Sequence, residues 1–253
     1  MRKLFLTSSP FIGDGKPFTK KNKFLERFAK CARACRRALM IPSFPSNVEL
    51  TEEHAFAIRD TMALSGICFE DYTILDDRNR ERAKELVTSS DFIILGGGHV
   101  PTQNAFFREV GLRGLMAGFE GVVFGISAGS MNAADVVYAQ PEEEGEGSDP
   151  AFEKFIPGLN LTKTMLIPHY QEIRDKVLDG KKLFEEITYP DSIGREFFAL
   201  CDESYLYSDG VSERICGETY RIKDGCIRKI CGTGEEYRLS NSENADHCLS
   251  HRE

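Results

Sequence analysis

The 253-residue chain carries 32 Lys and Arg against 40 Asp and Glu, a formal net charge of −8, and is 41% hydrophobic and 28% charged. The acidic balance argues against a nucleic-acid binder, which needs a basic footprint on the phosphates. No apolar run approaches the roughly 20 residues that span a bilayer, and a chain of this length can bury roughly 70–75% of its unfolded surface.

At the start, Leu4, Phe5 and Leu6 give way at once to Thr7, Ser8, Ser9 and Pro10, too short an apolar stretch for a signal peptide, so a cytoplasmic location is expected. The cysteines (Cys31, Cys35, Cys68, Cys201, Cys216, Cys226, Cys231 and Cys248) include no Cys-x-x-Cys pair. They are expected to be reduced thiols, and the spacing offers no zinc site.

Along the chain, apolar runs alternate with helical patterns. Residues 3–7 read as a strand, and Thr19 as the cap of a helix through 36, with Phe24, Leu25, Phe28, Cys31 and Cys35 on one face. A strand at 38–42, a helix at 51–64, a strand at 72–75 and a helix at 78–87 follow. Next come a strand at 91–95 ending in Gly96-Gly97-Gly98, a helix at 104–119 and a strand at 121–125. Alternation of this kind predicts a doubly wound, mostly parallel sheet with helices on both faces, and the unbroken apolar strands agree with burial on both sides.

The last third changes character. A strand at 164–167, a helix at 172–187 and a strand at 196–200 precede short β-rich runs at 205–207, 219–222 and 227–231. The intervening Asp-Gly turns are hairpin signals, predicting a small antiparallel section at the sheet edge. With no repeat and no linker, residues 1–240 read as one α/β domain and 241–253 as a polar, frayed tail.

Gly125-Ile126-Ser127-Ala128-Gly129 is the most informative stretch. It follows a buried strand and precedes a helix-compatible segment, the setting of a nucleophile elbow, where small neighbours relieve a strained turn and Ser127 stands above the sheet. The N–H of Ala128 would then face an oxyanion. A serine needs a base. His169 ends a strand, where ligands gather in open α/β sheets; His99 follows the glycine turn and reads as lining the site. His54 falls among charged helix residues, and His247 and His251 in the tail. The orienting acid is sought in the run 141–146, flanked by Asp135 and Asp149, in the chain order Ser, acid, His of α/β hydrolases. Gly96-Gly97-Gly98 matches neither a Walker loop nor a dinucleotide fingerprint; a second oxyanion donor and a plain tight turn suit it equally.

Together, DFIILGGG followed by His99, GISAGSMN and IPHY resemble the peptidase E family of serine peptidases, relatives of cyanophycinase. The resemblance runs over about residues 1–230 and implies a fold similar to class I glutamine amidotransferases, with serine in place of their cysteine. It implies Ser127 as nucleophile, His169 as base, and Gly98 and Ala128 as oxyanion donors. The family's acid stands about fifteen residues past the serine, which falls on Glu142, with Glu143 and Glu144 next in order. Best-known members remove an N-terminal aspartate, bound through an arginine; Arg174 is the nearest match here, and His99 is the second expected substrate-binding residue.

The expected reaction is hydrolysis of short peptides through an acyl-enzyme, with no metal or organic cofactor. The expected partner is a short peptide, with no nucleic acid and no membrane, and the protein a monomer or homodimer. Two other readings are an α/β-hydrolase esterase using His247, and a non-catalytic binding protein on the same scaffold.

Overall fold

Apolar runs that do not alternate with polar residues must be covered on both faces, and such runs, with a more polar strand at the edge, make five parallel strands at the centre of the molecule. They are β1 (Lys3–Thr7), β2 (Arg37–Ile41), β3 (Asp71–Ile74), β4 (Phe92–Leu95) and β5 (Val122–Ile126), in the order β1-β5-β4-β2-β3. The computed structural model describes residues 1–239; the expected tail at 241–253, with His247, Cys248 and His251, lies outside the described residues. No helix among the described residues is long and apolar enough to cross a membrane.

Successive strand residues point to opposite faces, and each face has its own core. On one side, Phe5, Phe92 and Phe124 meet α1 (Phe24–Ala32) and α2 (Val48–Leu64) in an aromatic-rich cluster. Phe28 makes edge contacts with Phe5 and Phe92 and stacks on Phe24. On the other side, Leu39, Ile93, Leu95 and Val123 meet α3 (Ala83–Ser89), α4 (Val100–Glu109) and α5 (Leu112–Met116).

Helix boundaries differ from the predicted ones for local reasons. Helix α1 begins late because Asn22 and Lys23 adopt positive φ; Thr19 Oγ1 accepts the Lys21 N–H at the preceding 3₁₀ turn instead of capping α1. Helix α2 begins earlier, capped by Asn47, whose side chain accepts the Leu50 N–H at 3.1 Å. The helix predicted over 104–119 breaks at Gly111, where φ is 65°.

After α6 (Ala128–Asn132), the hairpin β6 (Val136–Tyr138) and β7 (Phe155–Pro157), absent from the sequence reading, encloses the glutamate-rich residues 139–154. Strand β8 (Met165–Ile167) and α7 (Tyr170–Ile173) follow. The helix predicted over 172–187 does not form. Asp179 and Gly180, both at positive φ, turn β9 (Val177–Leu178) into β10 (Lys181–Lys182), and only then come a π-helical turn at Leu183–Thr188 and α8 (Tyr189–Asp191). An Asp-Gly pair in this conformation makes a two-residue hairpin, which overrides the helical spacing around it.

The antiparallel section divides in two. β11 (Glu196–Leu200) pairs in parallel with β8, and β12 (Tyr205–Ser208) and β13 (Glu213–Cys216) extend the main sheet beside β1. β14 (Thr219–Lys223) and β15 (Cys226–Cys231) then join β11 and β8 in a second, four-stranded sheet, while β16 (Glu236–Leu239) returns to β13. The crossing between sheets occurs at Gly217, where φ is 97° and a Cβ would lie 2.3 Å from Asn22 Nδ2. The expected antiparallel section at the sheet edge is formed by β12, β13 and β16, and the second sheet is additional to it. The two sheets share a core: Leu166, Phe198 and Leu200 of the second pack with Leu4, Leu6 and Leu206 of the first.

Candidate active site

Ser127 follows β5 with φ 49° and ψ −114°, a conformation that costs a non-glycine residue on the order of 1–3 kcal/mol. The surroundings hold it there. The Ser127 N–H donates to Thr7 O at 3.0 Å, the Ser130 hydroxyl donates to the same carbonyl at 2.8 Å, and the Thr7 hydroxyl donates to Gly125 O at 2.8 Å. The elbow is thus strapped to the end of β1. Its flanking glycines are there for close approach: a Cβ on Gly129 would lie 2.1 Å from Leu95 O, and one on Gly125 would lie 2.9 Å from Ser130 Oγ.

His169, two residues beyond β8, points its Nε2 at Ser127 Oγ, 2.9 Å away. Its Nδ1 lies 2.8 Å from Asp202 Oδ1. A carboxylate can only accept, so Nδ1 carries the proton and Nε2 is free to accept from the serine. Ser8 closes the arrangement: its hydroxyl donates to Asp202 Oδ1 and accepts the His169 N–H, each at 2.7 Å. The Asp202 N–H donates to Gln171 Oε1 at 2.9 Å.

The electrostatics agree with that proton placement. Burial raises the Asp202 carboxyl, but hydrogen bonds from His169 and Ser8 outweigh it and hold the group below its ordinary value. Burial disfavours a charged His169, yet the hydrogen bond and charge of Asp202 prevail and raise its pKa.

Glu142 does not make the contact that the sequence pointed to. Its N–H donates to Glu146 Oε2 at 2.8 Å and its carbonyl accepts Lys176 Nζ at 2.8 Å. No hydrogen bond joins it to His169 among the described residues; the carboxylate bonded to the histidine is that of Asp202. Burial pushes Glu142 up to about 7, and its charge is nonetheless close enough to be felt by His169. Glu143 and Glu144 are exposed. Asp202 was missed because the acid was sought between serine and histidine; the available signal was CDES directly after the strand EFFAL, the same strand-end position that singled out His169. Ser8 carried no signal beyond closing β1.

His99 sits beside the elbow at the N-cap of α4, with Nδ1 2.7 Å from Thr102 Oγ1 and Nε2 2.8 Å from Glu146 Oε1. It therefore anchors the glutamate-rich loop. Arg174 is exposed and paired with Asp175 at 3.0 Å, and none of its contacts reaches Ser127, His169 or Asp202. Ala128 opens α6, where amide N–H groups lack intrahelical acceptors. Gly98 has φ 138°, and a Cβ there would lie 2.7 Å from Ser43 and 2.8 Å from the Phe44 ring. The adjoining Gly97 is packed against the elbow, a Cβ on it lying 3.4 Å from that of Ser127.

The sequence profile of peptidase family S51 matches residues 4–215. The chain belongs to this family. It is accordingly a serine-type peptidase of the peptidase E kind, and its architecture is the class I glutamine amidotransferase-like fold. A peptidase from an acI-B1 Actinobacterium superposes with a TM-score of 0.63 at 18% identity, covering 94% of this chain and 97% of its own. A protein assigned to peptidase E from Listeria monocytogenes EGD-e gives 0.55 at 16% identity, covering 91% and 99%. Among curated proteins none matches this sequence.

Proposed function

We propose that this S51 peptidase hydrolyses short peptides through Ser127, with His169 as general base and Asp202 as the residue that orients it. The observation that carries this reading is the continuous line from Ser127 Oγ through His169 to Asp202, at 2.9 and 2.8 Å, built on a strained elbow.

In the first half-reaction His169 Nε2 takes the Ser127 proton as Oγ attacks the scissile carbonyl. The carbonyl π bond opens to an oxyanion, which in this reading accepts hydrogen bonds from the N–H groups of Gly98 and Ala128. Collapse breaks the C–N bond, and His169 returns its proton to the leaving amine. Water then attacks the acyl-enzyme ester by the same steps, freeing the acid and regenerating Ser127. Asp202 stays ionised throughout and stabilises the imidazolium.

The resemblance implied a preference for an N-terminal aspartate with Arg174 as its binding residue, and the exposed pairing of that side chain with Asp175 gives Arg174 no support in that role. Glu142 takes no orienting role in this reading.

The test is a mixed dipeptide and tripeptide library incubated with wild type and Ser127→Ala, with released amino acids read by mass spectrometry. Release by wild type and none by the variant is expected, together with fluorophosphonate labelling of Ser127. Near-normal hydrolysis by Ser127→Ala would overturn the assignment.

A further inference from the structure

A cleft of about 750 Å³ opens directly beside the elbow, at the C-terminal ends of the parallel strands. Its lining includes Gly97, Gly98 and Ile126, the residue before Ser127. Its walls come from three separate pieces of chain: Phe11 from the loop after β1, Pro42 and Phe44 from the loop after β2, and Ile58 and Leu64 from α2. Phe44 connects cleft and site, because its ring lies against Gly98. Along α2, His54, Ala57, Ile58, Thr61 and Leu64 recur at helical spacing and present one face to the cleft. Leu64 is 56% exposed there, an apolar side chain left uncovered at the cleft wall.

The charged groups that line the cleft are all of one sign. Asp14, Glu53 and Asp60 contribute to it, Asp60 being paired with Arg59 at 3.0 Å, and among the described residues no Lys or Arg lines the space. Lys16 lies near Gly13 but does not line the space. Outside the cleft, Glu146 is bonded to His99 and to the Glu142 N–H, with Lys176 held on the Glu142 carbonyl.

Resting on the peptidase reading above, we propose that this cleft is a specificity subsite, which seats a bulky apolar side chain adjoining the scissile bond and rejects an acidic one. An apolar side chain entering it covers the exposed surface of Phe11, Phe44 and Leu64. A carboxylate in the same place would lose water and meet the unpaired charges of Asp14 and Glu53, with no Lys or Arg among the residues that line the space, so selectivity arises from rejection as well as attraction. The cleft is continuous with the glycine turn beside Ser127, so a side chain bound in it belongs to a residue flanking the bond that is cut.

The test measures kcat/KM on matched short peptides carrying Leu, Phe, Ala or Asp on either side of the scissile bond. Leu or Phe is expected to exceed Asp by roughly 10- to 100-fold on one of the two sides. Ala57→Trp, at an exposed position on α2 that faces the cleft, is expected to lower cleavage of the Leu and Phe peptides by at least about tenfold. Leu64→Lys is expected to raise the rate on Asp peptides relative to Leu peptides, a gain that a misfolded variant could not show. A wild-type preference for Asp, or an apolar preference that neither variant alters, would overturn the cleft assignment while leaving Ser127 labelling intact. Failure of wild-type Ser127 to label would instead overturn the serine-peptidase reading itself, and the subsite with it.

Discussion

Asp202 Oδ1 lies 2.8 Å from His169 Nδ1 because β8 and β11 run side by side in parallel and end at Ile167 and Leu200, the same short step before each residue. Asp202 and His169 are 33 residues apart in sequence yet occupy equivalent places on neighbouring strands. Asp202→Asn keeps the shape but can offer Nδ1 an amide donor, favouring the wrong imidazole tautomer. Its kcat should fall on the order of 10³–10⁴-fold. Glu142→Gln, which removes no hydrogen bond to His169, should retain most of the turnover. Steady-state kinetics of the two variants side by side decide the acid.

The pH profile follows from the direction of the His169 shift. Its ordinary value is 6.5, and Asp202 raises it against the effect of burial. The base works only when neutral, so kcat/KM should rise with pH through a limb centred above 6.5. Glu142, pushed up to about 7 by burial, adds negative charge near the imidazole as it ionises. Glu142→Gln should therefore move the limb to lower pH; a limb that stays in place would mean that the charge is not felt.

Ser8 holds both partners of the pair through one hydroxyl, donating to Asp202 and accepting from the His169 N–H. Ser8→Ala should lower kcat by about 10- to 100-fold, the worth of a hydrogen bond to a charged group, with KM nearly unchanged. Ser8→Thr, which restores a hydroxyl, should recover part of the loss. A change confined to KM would place Ser8 in substrate binding instead.

The glycines of the elbow predict a stability effect separate from catalysis. A methyl on Gly129 would sit 2.1 Å from Leu95 O, so Gly129→Ala should lower the unfolding free energy by about 1–3 kcal/mol through overpacking. At Gly118 nothing lies within 4 Å of the added carbon, and Gly118→Ala should change stability by no more than about 0.5 kcal/mol. Urea unfolding of the pair checks the contrast.

What could be read from the sequence was what local chemistry determines. The parallel strands showed as unbroken apolar runs, and the serine showed because its turn demands small residues at fixed spacing. His169 could be chosen because it ends an apolar run. Asp202 escaped because its place beside His169 depends on which strands are neighbours, and β8 and β11 leave the main sheet altogether. Alternation of strands and helices does not reveal that departure. The helix predicted over 172–187 failed for the opposite reason: a strong local signal, Asp179-Gly180, was present and was outweighed by spacing.

The site straddles a seam. Ser127 and Ser8 follow strands of the main sheet, while His169 and Asp202 follow strands of the second. The 2.9 Å contact between Ser127 and His169 therefore measures how one sheet is seated on the other, through a shared layer that includes Leu6, Leu166 and Leu200. A misplacement of about 1 Å can reduce turnover by about 10². Gentle heating or a trimmed side chain in that layer would be registered first as lost hydrolysis, while circular dichroism still reported an intact fold.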